Sequence, residues 1–265
     1  MLLSDRKDFA VSEKENTIMQ IFEPFIWGFD DLEAIFFMTL LLLLYFADIP
    51  YLGNEVPFYL CRMTRKIWLA GQVVYIVCAT AIYTVVILLS TILICGQRCY
   101  VGNIWSETAV KLAFTSAGKK LSLAASEKTL ELTRPYACMT TIFFLLFAYA
   151  LVMVLLIFWF RILWNELAGM IAGVVFNGIS FIFSPGVLQK LLGISERKSY
   201  LANVAAGWIS PLSHATYHLH NFGYDRLPSL RDSGIYDMVL VIVLILLNLY
   251  SIRTYHFVFD GTGER

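Results

Sequence analysis

The sequence predicts an all-α membrane protein, a polytopic helical bundle that forms a single transmembrane domain over residues 1–265. Hydrophobic residues make up 58% of the chain and charged residues only 15%, whereas soluble domains carry about 25% charged residues. Residues 137–160 contain no charge, and about 20 apolar helical residues match a hydrocarbon core of roughly 30 Å. Backbone groups in lipid must be hydrogen-bonded within their own segment, so a transmembrane helix is predicted there.

Five apolar segments are predicted to cross the membrane: residues 32–47, 67–95, 137–160, 167–183 and 235–252. The first is short for a crossing, and the second is long enough to tilt. The fourth contains Gly169 and Gly173. Their GxxxG spacing lets helix backbones approach closely, so we expect this helix to pack against others.

Two further stretches are predicted to lie at the membrane surface. Residues 21–27 form an amphipathic stretch in which Trp27 suits a membrane interface. Residues 200–222 mix apolar residues with asparagine and histidine. We expect an interfacial or re-entrant segment there and do not count it as a crossing.

Basic residues do not decide which side of the membrane each loop faces. If the first residues are outside, the cytoplasmic segments are residues 48–66, 161–166 and 253–265, and the outer segments are residues 96–136 and 185–234. The outer segments hold more basic residues in total, but the positive-inside rule is weakest for long loops. Charge alone therefore leaves the orientation open. The net charge of zero gives no indication of nucleic-acid binding.

Two motifs resemble a known transporter family. Residues 46–51 read FADIPY and residues 62–72 read RMTRKIWLAGQ, with Glu55 between them. This block resembles the second-helix exit and following loop of bacterial ABC transporter permeases of the ABC-2 exporter type. Residues 208–213 read WISPLS and resemble the Ser-Pro element before the last helix of these permeases. The resemblance covers most of residues 30–255 in order and spacing.

The resemblance implies the transmembrane permease subunit of an exporter, multi-pass in the plasma membrane. Two such subunits, identical or related, would pair with two ATP-binding-cassette ATPase subunits. These permeases usually have six helices and two cytoplasmic termini, whereas this sequence starts where their first outer loop would be. The resemblance therefore favours an outer N-terminal segment, with a further helix either absent or upstream of Met1. Peptide, antibiotic, lipid and polysaccharide-precursor cargo all stay open.

Residues 48–66 are predicted to form the coupling segment of such a permease. Pro57 suits the first turn of a short helix, and Glu55 lies near its start. Three cations lie near its end: Arg62, Arg65 and Lys66. The resemblance implies that this helix lies in a groove of the ATPase subunit and passes its closure to the membrane helices. The alternative is that the cations only anchor the cytoplasmic end of a span.

The chain lacks the sequence of an ATP-hydrolysing site. A P-loop needs two glycines followed by Lys-Ser or Lys-Thr, but Gly118-Lys119 is followed by Lys120, and Ala113 stands where the first glycine belongs. We therefore expect no ATPase activity and no cofactor in this chain, with ATP and Mg²⁺ in the partner subunit.

An intramembrane enzyme and a small membrane channel are the alternative functions. The sequence has no H-E-x-x-H and no G-x-S-x-G motif, and the pair Asp30-Asp31 lacks the third aspartate that a prenyltransferase-like motif would place at Ala34. Neither alternative needs an ATPase partner. An ATPase that co-purifies with the chain would therefore separate the exporter from both.

Polar groups at membrane depth are the candidates for a translocation path. Glu166 and Asn177 are the two that we single out, because such groups are costly in lipid and often functional. The alternative places them at the interface or at helix ends.

Histidines and cysteines give weaker indications. His214, His218 and His220 have H-x3-H-x-H spacing, but no cysteine is near them and the nearest carboxylate is Asp225, so no metal site is predicted. The outer cysteines are Cys95, Cys99 and Cys138. Pairing among them is an option, and free thiols are favoured.

Overall fold

A computed structural model describes residues 18–50, 62–96, 99–114, 127–223 and 225–255. Its regular elements are β1 (Met19–Gln20), α1 (Glu23–Phe29), α2 (Leu32–Tyr45), α3 (Arg65–Cys95), β2 (Cys99–Tyr100), α4 (Glu107–Phe114), α5 (Glu127–Leu132), α6 (Pro135–Leu163), α7 (Glu166–Ile182), α8 (Pro185–Leu191), α9 (Ser199–Ile209), α10 (Pro211–Ala215) and α11 (Leu230–Ser251), with 3-10 turns at Glu196–Lys198 and Tyr217–Leu219. The fold is 77% helical, so the predicted all-α class is confirmed.

Three helices of the described chain are long and apolar enough to cross a membrane: α3 with 31 residues, α6 with 29 and α11 with 22. They correspond to the predicted second, third and fifth spans. The predicted fourth span corresponds to α7, which meets α8 at a bend of 70° and counts as a crossing only if the bent pair forms one span. The bend lies at Pro185, whose ring disfavours helical geometry in Ser184 before it.

The first predicted span is not found as a crossing helix. α2 has 14 residues and therefore extends about 21 Å, less than the roughly 30 Å of a hydrocarbon core. Its chain turns at Phe46, and the peptide bond between Ile49 and Pro50 is cis. Of the five predicted spans the structure thus shows three helices that could cross a membrane, or four with the bent pair.

α6 is the central helix of the bundle. In the most apolar 18-residue stretch of α6, 61% of the stretch is buried inside the protein. The corresponding shares are 28% for α3 and 22% for α11. α3 and α11 thus leave most of their apolar surface for lipid to cover. α11 runs parallel to α6, since Asn248 Nδ2 donates to the Leu155 carbonyl at 3.3 Å and Trp159 Nε1 donates to Ser251 Oγ at 3.0 Å.

α7 runs back along α6 through its small residues, as the GxxxG spacing predicts. A Cβ atom built on Gly169 would lie 2.5 Å from Arg161 Cγ and 2.8 Å from the Ile157 carbonyl oxygen. A Cβ on Gly173 would lie 2.6 Å from a methyl group of Leu43. Glycine therefore permits α7 to approach both α6 and α2 closely.

The stretch of residues 21–27 that is predicted to be interfacial is packed against the rest of the protein. Every residue of α1 is buried, and Trp27 packs on Trp105 with ring centroids 5.6 Å apart. The buried carboxylate of Glu23 helps to hold α1 inside the protein. It accepts hydrogen bonds from the backbone N–H of Ser106 at 2.7 Å and from the Ser106 hydroxyl at 2.6 Å. Burial raises the pKa of Glu23 even though these bonds oppose the shift.

Two short pairings join the neighbouring segments to this buried helix. β1 and β2 pair in parallel, with Met19 opposite Cys99 and Gln20 opposite Tyr100. Cys95 and Cys99 form a disulfide, which corrects the expectation of free thiols at these positions. Cys138 is a free, buried thiol, as expected.

Candidate functional site

The described loops gather at two ends of the bundle. We call residues 46–50, 62–66, 161–166 and 252–255 the loop end, and residues 18–31, 99–114, 127–134 and 211–229 the cap end. Hydrogen bonds join the segments of the cap end, including those from Lys128 Nζ to the His220 carbonyl at 2.9 Å and from Thr129 Oγ1 to Asp30 at 3.2 Å.

The predicted coupling segment has both of its described flanks at the loop end. Glu55 and Pro57 lie outside the described residues, so the predicted short helix stays a prediction. Arg62, Arg65 and Lys66 are all exposed. Arg65 also donates from Nη1 to the carbonyl of Arg253 at 2.5 Å and to that of Ile252 at 3.4 Å.

The position of Arg65 has a simple electrostatic reason. It starts α3, and the carbonyls that it reaches follow directly after the last residue of α11. The carbonyl end of a helix carries a partial negative charge that attracts a cation. Arg65 therefore fastens the exit of the coupling segment to the end of α11.

Arg161 fastens the entry of the same segment. A basic residue directly after an apolar run is typical of headgroup contact, but Arg161 is only 4% exposed and lies inside the protein. Its Nη1 donates to the carbonyl of Ile49 and, at 3.2 Å, to that of Phe46. The turn from α6 to α7 is short, so α7 returns over the arginine stem at Gly169 and covers it.

Asn177 joins three helices. It is fully buried; its Oδ1 accepts from the Tyr149 hydroxyl at 2.6 Å, and its Nδ2 donates to Thr39 Oγ1 at 2.9 Å. These bonds connect α7 to α6 and α2. A buried amide with partners on both atoms acts as an interhelix tie, and a role in translocation stays a prediction.

Glu166 occupies a different environment. It is exposed in the first turn of α7, where Asn165 Oδ1 accepts from the Ala168 N–H at 2.8 Å as the helix cap. An acidic group in this turn complements the helix dipole. Glu166 and Asn177 thus lie at an end and in the middle of the same helix, and the fold does not bring them together.

The three histidines of the H-x3-H-x-H motif do not converge on one point. His218 contacts Asp30, with Nδ1 at 3.0 Å and the backbone N–H at 2.7 Å from Oδ1. His214 Nδ1 and His220 Nε2 each lie 2.8 Å from Ser233 Oγ. Among the residues that the structure describes, no group of three His, Cys, Asp or Glu side chains has the arrangement of a metal site.

The surroundings of these histidines shift their pKa values in opposite directions. Burial lowers the pKa of His214, and it lowers that of His220 to about 4. Burial also acts to lower the pKa of His218, but the hydrogen bond and the charge of Asp30 outweigh it and raise the pKa. The structure thus favours the neutral imidazoles beside Ser233 and shifts His218, beside Asp30, toward its charged form.

One polar residue of interest was missed by the sequence interpretation. Asp237 lies within the predicted fifth span, is 2% exposed, and lines a cavity between α6 and α11. The signal was present, since an acidic residue in an apolar membrane segment is a functional candidate by itself. We overlooked it because the apolar residues around it dominate the segment.

Comparisons of this chain with protein-family models, curated proteins and solved structures found no match.

Proposed function

We propose that this chain is the transmembrane subunit of an ATP-binding-cassette exporter of the plasma membrane. A second permease subunit, identical or related, completes the pathway, and separate ATPase subunits bind at the loop end and supply the ATP and Mg²⁺ chemistry. The proposal combines the resemblance of residues 46–72 and 208–213 with the geometry of the loop end. Cargo moves outward when the ATPases close and the bundle changes conformation.

The observation that carries the proposal is the double attachment of the coupling segment. Arg161 holds Ile49 to the end of α6, and Arg65 holds the start of α3 to the end of α11. A push on the residues between these attachments reaches the central helix and one of the helices that border lipid. Such a connection between a docking loop and a packed core is what an ATP-driven permease needs.

The three cations have different roles in this arrangement. All three are exposed, but Arg65 is hydrogen-bonded to the end of α11, so Arg62 and Lys66 are the groups for contact with the ATPase. Charge reversal at Arg62 and Lys66 should therefore release the ATPase and leave the permease folded. Charge reversal at Arg65 should loosen the bundle itself.

The test is affinity purification of the tagged chain in mild detergent from its native cells, with an assay of ATP hydrolysis and identification of bound subunits by mass spectrometry. We expect an ATP-binding-cassette subunit with the wild-type chain and a large loss of it with Arg62→Glu combined with Lys66→Glu. The matched control is Arg197→Glu combined with Lys198→Glu, exposed cations outside the loop end. A channel or an intramembrane enzyme would bring down no such ATPase, and that result would overturn the proposal.

A further inference from the structure

Asp237 is a buried carboxylate without a partner in a membrane helix. Neither carboxylate oxygen has a hydrogen-bond partner among the described residues, and Asp237 is 2% exposed. Asp30, the buried carboxylate at the cap end, instead accepts hydrogen bonds from His218 and Thr129. A buried charge without a partner costs several kcal/mol. Asp30 therefore has its hydrogen-bond partners within the fold. The carboxylate of Asp237 has none among the described residues, so a partner for it would have to be a bound molecule.

Asp237 is one of the residues that line a cavity of about 330 Å³, and its carboxylate oxygens are buried at the cavity wall. The walls are contributed by α6 and α11, and the lining residues besides Asp237 are Thr141, Phe144, Leu145, Phe147, Ala148, Leu230 and Gly234. The hydroxyl of Thr141 is already engaged, since it donates to the Ala137 carbonyl at 2.8 Å. The cavity is thus a half-open apolar pocket, and Asp237 is the one acidic residue among those that line it.

Gly234 leaves space open one turn before Asp237. A Cβ atom at this position would have no neighbour within 4 Å. A larger side chain there would enter this space without disturbing the helix contacts. The volume of the cavity lies at the lower end of the roughly 300 to 1,000 Å³ of small-molecule sites.

We propose that this cavity binds a compact apolar molecule that carries one protonated amine. An ammonium group compensates the charge of Asp237, and the hydrocarbon body covers the apolar wall. The phenyl rings of Phe144 and Phe147 add favourable quadrupole interactions for a cation near their faces. An anion would be repelled, and a divalent metal ion needs about six oxygen ligands rather than one side chain.

The test measures binding directly, without ATP and without a partner subunit, so its result does not depend on the exporter proposal. The full chain is reconstituted into phosphatidylcholine nanodiscs, and equilibrium dialysis compares adamantan-1-amine with adamantan-1-ol, its neutral counterpart of the same shape. Empty nanodiscs correct for partition into lipid. We expect saturable binding of the amine and at least tenfold weaker binding of the alcohol.

Three variants assign the binding to this cavity. Asp237→Asn should weaken amine binding at least tenfold and leave the alcohol unchanged. Gly234→Leu retains the carboxylate but fills the cavity, so it should weaken both compounds. Glu131→Gln removes an exposed carboxylate outside the cavity and should change neither.

Several outcomes would overturn the proposal. These are equal binding of the amine and the alcohol, absence of saturable binding, or amine binding that survives both Asp237→Asn and Gly234→Leu. If Asp237→Asn does not fold, Gly234→Leu decides. Displacement of the amine by phosphatidylethanolamine added to the nanodisc would assign the site to a lipid headgroup, which also contradicts the proposal.

Discussion

His218 and Asp30 are in hydrogen-bond contact although they lie 188 positions apart, with His218 Nδ1 at 3.0 Å from Asp30 Oδ1. The same oxygen also accepts the backbone N–H of His218 at 2.7 Å. Asp30 is fully buried directly after α1, and His218 lies in the turn after α10. The pair thus fixes the start of α2 to the segment that follows α10.

The first prediction concerns the pH dependence of this pair. The pKa of His218 is raised above its ordinary 6.5. The stability that His218 contributes is therefore fully present below the pKa of this histidine in the unfolded chain. It is lost as pH rises through the pKa of His218 in the fold. We expect His218→Asn to lower the free energy of unfolding by about 1–3 kcal/mol at pH 6 and by less at about pH 9.

Chemical unfolding of the purified protein in detergent, at the two pH values, provides the measurement. His220 also makes stability depend on pH, because its pKa of about 4 in the fold destabilises the protein as pH falls below 6.5. His220 is present in both the wild type and His218→Asn, so its contribution cancels in the difference between them. An equal cost of the substitution at both pH values would mean that the pair is not ionic.

The second prediction concerns the close approach of α7 to α6. Gly169→Ala places a methyl group against the Ile157 carbonyl oxygen, and we expect a loss of about 1–3 kcal/mol. Gly178→Ala is the matched control in the same helix, since its Cβ would meet no neighbour within 4 Å. Alanine there should be neutral or stabilise by up to about 1 kcal/mol. Equal effects of the two substitutions on the unfolding curve would contradict the packing described for Gly169.

The third prediction concerns the buried amide at Asn177. Asn177→Leu leaves the Tyr149 hydroxyl without its acceptor, so we expect a loss of about 1–3 kcal/mol. Combining it with Tyr149→Phe should cost less than the sum of the two single changes, because the hydroxyl is then absent. Additive costs in this double-mutant cycle would show that the bond contributes nothing.

The fourth prediction concerns the sides of the membrane. Trp164 is 70% exposed at the loop end, and Glu131 is exposed at the cap end. If the chain is an exporter subunit, a membrane-impermeant maleimide added to intact cells should label Glu131→Cys and not Trp164→Cys. The wild type, with exposed Cys78 in α3, gives the background. Labelling of Trp164→Cys alone would reverse the orientation and remove the loop end from the ATPase.

Local composition was sufficient to predict the three longest apolar helices, but not the position of Arg161. Residues 137–160 predict a helix because lipid offers their backbone no other partner, and α6 contains them all. The burial of Arg161 depends on α7, which returns over its stem, and on Ile49, which lies 112 residues away in sequence. From the sequence alone, a basic residue after an apolar run suggests headgroup contact. Only the position of the neighbouring helix shows whether that residue is instead buried.

The sequence by itself determined that the chain is helical and resides in a membrane, because the length and hydrophobicity of a segment act locally. Only the tertiary structure decided which polar groups have partners. Asn177 and Asp30 are satisfied by residues distant in the chain, whereas the buried carboxylate of Asp237 has no hydrogen-bond partner among the described residues. Hydrogen bonding depends on distances and angles between elements, and these follow from how the helices pack rather than from the order of residues within any one of them.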